Sequence, residues 1–119
     1  MPVTALPKPP YYVVTFSSQR REGDHGYAAM ADEMVAMAEI QPGYLGHESA
    51  RGADGFGITN SYWTDEAAIR AWKAKVDHLD AQRRGRVEWY VTYAVRVAKV
   101  ERAYDFDGHS VRHSVRHGA

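Results

Sequence analysis

The spacing of apolar residues changes period several times along the chain, and each change marks a predicted element. Tyr11 to Ser18 (YYVVTFSS) is rich in β-branched and aromatic residues and reads as a first strand. Its apolar run lacks clean alternation, so both of its faces are expected to be partly covered. After a polar connection, Gln19 to Gly26, the period becomes helical. Tyr27, Met30, Ala31, Met34, Val35 and Ala38 form one stripe, with Asp32, Glu33 and Glu39 off it. Packing on a sheet is the common use of such a stripe; the three methionines Met30, Met34 and Met37 also have the adaptability of a binding surface. Pro42 and Gly43 stop this helix, because proline cannot continue it and glycine supplies a left-handed turn.

Two strand-like runs follow, Tyr44 to Ser49 and Ile58 to Trp63, separated by the turn residues Gly52-Ala53-Asp54-Gly55. Thr64 is the expected N-cap of a second helix, with Asp65 and Glu66 in the first turn, where the helix dipole favours negative charge. Ile69, Trp72, Val76 and Leu79 give its buried stripe, and Arg83-Arg84-Gly85 its end. A long last strand runs from Val87 to about Val100. It puts Val87, Trp89, Val91, Tyr93, Val95 and Val97 on one face and Glu88, Tyr90, Thr92, Ala94, Arg96 and Ala98 on the other. That length exceeds the usual strand and implies pairing beyond its own sheet.

The order is βαββαβ, an α+β protomer with a four-stranded antiparallel sheet and both helices on one face. It occupies residues 11–103, between a Pro-rich extended arm (1–10) and a tail (104–119) that repeats Ser-Val-Arg-His and reads as a peripheral docking strand or arm. The other sheet face has no helix to cover it, and neither face of the last strand is polar enough for water. An exposed apolar sheet face marks an interface, so a twofold homodimer, sheet against sheet, is expected.

Composition narrows the function. Fifteen basic and fifteen acidic side chains balance to zero, which argues against nucleic acid as a partner. There are no cysteines, so disulfides, thiolate metal sites and cysteine nucleophiles are excluded. No segment is apolar enough to cross a bilayer and the leader lacks a secretory pattern, which makes a cytoplasmic protein the expectation. His109, His113 and His117 recur at metal-ligand spacing for a helix, but their valine and glycine neighbours oppose helix, and no native metal site is expected.

The Pro-Gly-aromatic-Leu opening of the second strand (Pro42-Gly43-Tyr44-Leu45) resembles the antibiotic biosynthesis monooxygenase domain of the dimeric α/β-barrel superfamily. So does the third strand ending in Tyr62-Trp63 and followed by Thr64-Asp65-Glu66-Ala67-Ala68-Ile69-Arg70-Ala71-Trp72. The resemblance covers about Tyr11 to Val100. It implies a ferredoxin-like protomer, a dimeric α/β barrel, and a small-molecule pocket between helices and sheet. The activities it implies are cofactor-independent oxygenation of phenolic or quinol-like substrates and oxidative haem breakdown. In the family's oxygenases a Trp ending the third strand and an Asn four residues earlier hold the substrate. Trp63 matches the first; Thr59 stands at the second, with Asn60 one residue away and expected on the opposite face. In its haem-degrading members the pattern is an Asn on the first strand, a Trp in the second helix and a later His. Trp72 matches the Trp, but Gln82 stands near the expected histidine, His78 comes too early, and the first strand has no Asn. No cofactor is therefore expected, haem being the lesser alternative.

If the hairpin pairs Ser49 with Thr59, then Leu45, His47 and Ser49 share a face with Thr59, Ser61 and Trp63, and the large Leu45 and Trp63 mark it as the face beneath the helices. His47, inside a half-buried strand, is a candidate catalytic base or a structurally partnered imidazole. His78, at the edge of the second helix's stripe, is the other candidate, an exposed histidine being its commoner reading. Thr59, Trp63 and Trp72 are the candidate pocket residues, with core packing the competing role of each tryptophan. Arg51 is a candidate clamp for an anionic substrate, or simply solvated, and His25 is expected to be exposed. The expected function is a cofactor-independent monooxygenase-like protein acting on a small aromatic or electron-rich molecule. The alternatives are a non-catalytic small-molecule-binding or stress-associated dimer, and a haem protein.

Overall fold

A computed structural model describes residues 3–83 and 88–115. Its elements run β1 (Tyr11–Arg20), α1 (Tyr27–Glu39), β2 (Tyr44–Arg51), β3 (Phe56–Trp63), α2 (Glu66–Arg83), β4 (Tyr90–Val100), β5 (Arg102–Phe106) and β6 (Val111–Val115). β1 to β4 form one antiparallel sheet in the order β2-β3-β1-β4, the ferredoxin-like arrangement. The expected glycine stop after α2 and the expected first residue of the last strand, Val87, lie outside the described residues, as does the end of the second Ser-Val-Arg-His repeat.

Register fixes which side chains share a face. Tyr12 stands opposite Trp63, Phe16 opposite Thr59 and Val95, and Ser18 opposite Gly57 and Tyr93. Both helices cover this face. Trp72 of α2 stacks on Trp63, and Tyr27 of α1 meets Tyr90 edge-on, which a register shift near Arg20 brings to the same side as Phe16. Trp63 is the core residue of the domain, 0% exposed, with Tyr11, Met30, Ala38 and Ile69 also buried. α1 lies nearest β2 and α2 nearest β3, so the apolar Tyr93, Val95 and Val97 of β4 stay exposed on the helix side. On the opposite, uncovered face Phe56 is 47% and Ile58 41% exposed.

Local chemistry departs from expectation at three points. Asp65, not Thr64, caps α2: its carboxylate accepts the Ala68 backbone N–H at 2.8 Å, because an aspartate just ahead of the first turn offers both charge and acceptor. β4 starts at Tyr90. Glu88 and Trp89 are helical, and Trp89 Nε1 donates to the His25 carbonyl at 3.0 Å, which ties the β1–α1 connection to this corner. The tail, expected to be a docking strand or arm, holds two strands: β5 and β6 form an antiparallel hairpin in which Tyr104 faces His113 and Phe106 faces Val111. Gly108 has φ +94° in its turn, and Asp107 accepts the backbone N–H groups of His109 and Ser110 at 2.9 Å each.

The N-terminal arm lies against β2. Thr4 donates its backbone N–H to Glu48 at 3.0 Å and its hydroxyl to the His47 carbonyl at 2.9 Å, and Tyr62 donates to Glu48 at 2.7 Å. The Thr4 N–H, followed by the Tyr62 hydroxyl, holds the Glu48 carboxyl below its usual range, while burial and then the Glu48 contact push Tyr62 up to about 12. A carboxyl depressed in the folded state stabilises it above the ordinary glutamate value of 4.5, and that contribution is lost as pH falls through the folded value. Amide exchange at Thr4, corrected for its intrinsic rate, should therefore quicken between about pH 6 and about pH 3 in the wild type and not in Glu48→Gln. Equal pH dependence in the two proteins would show that Glu48 does not hold the arm.

Candidate functional site

The β2–β3 hairpin supplies one half of the sheet face that the helices cover. Its turn closes with Gly55 N–H to the Gly52 carbonyl at 3.0 Å and Phe56 N–H to Asp54 Oδ1 at 3.0 Å, which fixes the strand register. Ser49 then meets Thr59 hydroxyl to hydroxyl at 2.7 Å, and His47 stands opposite Ser61. Ser61 Oγ in turn accepts the Trp63 indole N–H at 2.9 Å. This is the expected pairing, and it puts three hydroxyls and an imidazole in one row beneath the helices.

One place breaks alternation. A bulge between Tyr44 and Gly46 leaves Leu45 as the extra residue, so Tyr44, and not Leu45, stands opposite Trp63. Gly46 has φ +153°, and a Cβ there would fall 2.7 Å from the Thr4 methyl, so both backbone and packing require glycine. The bulge brings residues three apart to one face. The Tyr44 hydroxyl lies 2.6 Å from His47 Nδ1, while its ring meets Trp63 edge-on with centroids 5.5 Å apart. Burial first, then the Glu39 carboxylate, raises the Tyr44 phenol above its ordinary value, so the phenol holds a proton it can share with Nδ1. Strict alternation hid this partner of His47; glycine one residue after Leu45 was the signal that could have revealed it.

Trp63 and Trp72 stack with centroids 6.1 Å apart and planes 29° from parallel, Trp72 covering Trp63 and remaining partly exposed itself. Asn60 projects to the uncovered face, where its carbonyl oxygen accepts the Thr15 hydroxyl at 2.7 Å, so the position on the helix-side face belongs to Thr59. His47, Thr59 and Trp63 thus share the helix-side face of the sheet, with Trp72 stacked over Trp63 and His78 exposed on α2. Two concavities of about 430 and 320 Å³ lie elsewhere, one around Gln19, Phe56 and Arg96, the other around Pro42 and Ala68. Among the described residues no group of three or more His, Asp or Glu side chains could hold a metal ion, and no helix is long and apolar enough to cross a membrane.

At the hairpin end of the helix-side face, Arg51 lies across Gly57. Its Nη1 donates to the carbonyls of Gly55 at 2.6 Å and Ser18 at 3.2 Å, and its Nη2 to Ser18 Oγ at 2.8 Å. A Cβ at position 57 would sit 2.7 Å from the Arg51 guanidinium carbon, so glycine is what makes room for it. Arg20 stacks over the Tyr27 ring, 3.7 Å from its centroid.

Comparison with known proteins places this geometry. The protein YqjZ of Bacillus subtilis (strain 168), itself uncharacterized, is 54% identical over 100 residues, 84% of this chain and 88% of that protein. Among solved structures, SnoaB from Streptomyces nogalater, a cofactor-independent oxygenase, superposes with a TM-score of 0.66 at 16% identity, covering 80% of this chain and 97% of its own. PA3566 from Pseudomonas aeruginosa does so with a TM-score of 0.62 at 12% identity, covering 78% and 96%. At these identities the two structures speak for the fold. The sequence profile described as antibiotic biosynthesis monooxygenase matches residues 10–84, from the start of β1 through α2, and the chain belongs to that family.

Proposed function

We propose that the protein is a cytoplasmic, cofactor-independent monooxygenase-like enzyme acting on a small phenolic or quinol-like molecule bound in the helix-side cleft. The observation that carries this reading is the Tyr44–His47 pair, 2.6 Å apart, beside the stacked Trp63 and Trp72. The Tyr44 hydroxyl takes the substrate's phenolic proton while its own proton passes to His47 Nδ1, leaving an imidazolium and a substrate phenolate. The phenolate is electron-rich enough to reduce dioxygen directly. One oxygen atom enters the ring and the other leaves as water, so a phenol and O₂ yield a quinone and H₂O. The indoles and Phe16 keep water from the reacting carbon, and the hydroxyls of Thr59 and Ser61 orient the substrate oxygen.

Oxygen uptake with a panel of phenols and quinols tests it. His47→Ala should lower the rate about 100-fold, with Tyr44→Phe lowering it in parallel, because both remove the same relay. His78→Ala should leave the rate unchanged. Equal uptake by wild type and His47→Ala sinks the enzymatic reading.

Position 59 favours a second reading, a small-molecule-binding dimer without turnover, because Thr59 stands where the resemblance has its substrate-holding asparagine and Asn60 is engaged with Thr15 on the other face. Saturable binding of the same phenols with no oxygen uptake is its signature. A haem role would need His78 as ligand. Haemin titration should then give a Soret shift that His78→Ala abolishes; we expect none.

We further propose that the working unit is a twofold homodimer. Among the described residues, apolar surface lacks a cover on the sheet face bearing Phe56 and Ile58, on β4 at Tyr93, Val95 and Val97, and on one face of the β5–β6 hairpin, where Tyr104 is 69% and Phe106 66% exposed. The first and the last are the ones a dimer would use. The hairpin's other face is polar, with Asp105 opposite and paired to Arg112. An isolated two-stranded hairpin is marginal in water, and a second copy supplies both missing surfaces at once.

A further inference from the structure

Two guanidinium groups converge on one phenol at the hairpin end of the helix-side face, and neither is neutralised. Arg20 lies 3.7 Å and Arg51 5.8 Å from the centre of the Tyr27 ring. Both spend their donors on uncharged acceptors. Arg20 reaches the carbonyls of Arg21, Gly23, Asp24 and Trp89 at 3.2 to 3.4 Å, and its Nε is buried without a hydrogen-bond partner. Arg51 reaches backbone and Ser18, with a long 3.4 Å contact to the Tyr27 hydroxyl. Among the described residues no ion pair joins either arginine to a carboxylate. The half-buried Arg20 cation is costly to leave without a counter-charge, the exposed Arg51 is accessible to one, and long bonds to carbonyls are the cheapest to exchange for it.

The charge stands in line with the chemistry. Arg51 is on the same strand and the same face as His47, four residues on, or about 13 Å along β2. Between them lie Ser49, Thr59 and Phe16. A one-ring ligand with an acidic group at one end and a phenol at the other, bridged by a short spacer or a second ring, spans that distance.

We propose that Arg51, backed by Arg20, is a recognition site for a carboxylate on the ligand, so that the cleft selects aromatic acids over their neutral counterparts. This rests on the cleft being the ligand site, as proposed above, and it does not require turnover. Arg51 is exposed, and a guanidinium offers the planar donor geometry that matches the two oxygens of a carboxylate. Arg20 lies deeper, adds field rather than contact, and holds Tyr27 in place beneath the pair.

Calorimetric titration with 3-(4-hydroxyphenyl)propionate and with its neutral amide measures the preference directly. The acid should bind about tenfold tighter than the amide at low salt, as expected for a hydrogen bond to a charged partner. The ratio should fall toward one as ionic strength rises, and should be near one in Arg51→Gln while amide affinity is kept. Equal affinities in the wild type, a ratio insensitive to salt, or a preference that survives Arg51→Gln in a protein of unchanged melting temperature overturns the proposal, as does failure of both probes to bind. Because Arg51 also links β2 to β1, the salt series on the wild type decides the matter should that variant unfold. Absence of oxygen uptake with either probe would count against the oxygenase reading alone.

Discussion

Trp63→Ala should be the most destabilising single substitution in the domain, lowering the unfolding free energy by about 3–5 kcal/mol. Trp63 is 0% exposed, and its ring is held on two sides, by Trp72 at 6.1 Å and by Tyr44 at 5.5 Å, with its N–H satisfied by Ser61. Truncation removes the largest buried side chain where the helix layer meets the sheet. It leaves a cavity that α2 cannot easily fill, because that helix starts at Glu66, three residues after Trp63, and cannot shift freely from the end of β3. Urea titration followed by far-ultraviolet circular dichroism gives the measurement, with an unchanged slope and a lower midpoint as the expected form. Trp72→Ala, at a partly exposed position, should cost less than half as much. A Trp63→Ala midpoint within error of the wild type would mean that the stack is ornamental to stability, and that the core lies elsewhere.

The second large effect concerns assembly. Wild-type protein in light scattering should show twice the protomer mass, and Ile58→Asp should shift it to the protomer mass with the fold retained. Ile58 sits on the uncovered face beside Phe56, on a strand paired on both sides, so the substitution leaves the protomer's own core alone. At an interface it would bury a carboxylate against apolar surface, at a cost of several kcal/mol, enough to weaken the dimer at least about 100-fold. Deleting residues 104–119 tests the hairpin's share independently. A wild type that is monomeric at high concentration refutes the assembly outright. A dimer indifferent to both changes would place its interface on another surface.

Much of this architecture was legible in the sequence because period and punctuation agreed. The Gly52–Gly55 turn and the alternation around it fixed the register, so Ser49 meets Thr59 and Asn60 points away, as the pattern required. The two helical stripes found the buried Met30, Ala38 and Ile69. What escaped was governed by backbone irregularity and by contacts distant in sequence. The bulge at Leu45 replaced it with Tyr44 and created the hydroxyl–imidazole pair, and a second shift near Arg20 moved Tyr90 across the sheet. No periodicity encodes either. The arginine pair escaped for another reason: Arg20, Tyr27 and Arg51 belong to three different elements and meet only after the sheet forms. The tail was read as an appendage because its strands alternate over too few residues to distinguish a hairpin from a loop.

The arm's attachment bears on how the protein stays single. β2 is an outer strand, and outer strands with free carbonyls recruit strangers into endless sheets. Thr4 occupies the carbonyl of His47 on that border and seats its methyl in the space left by Gly46. The first residues therefore act as a fitted edge guard against fibre-like stacking. Loss of Thr4 would trade that guard for an exposed border.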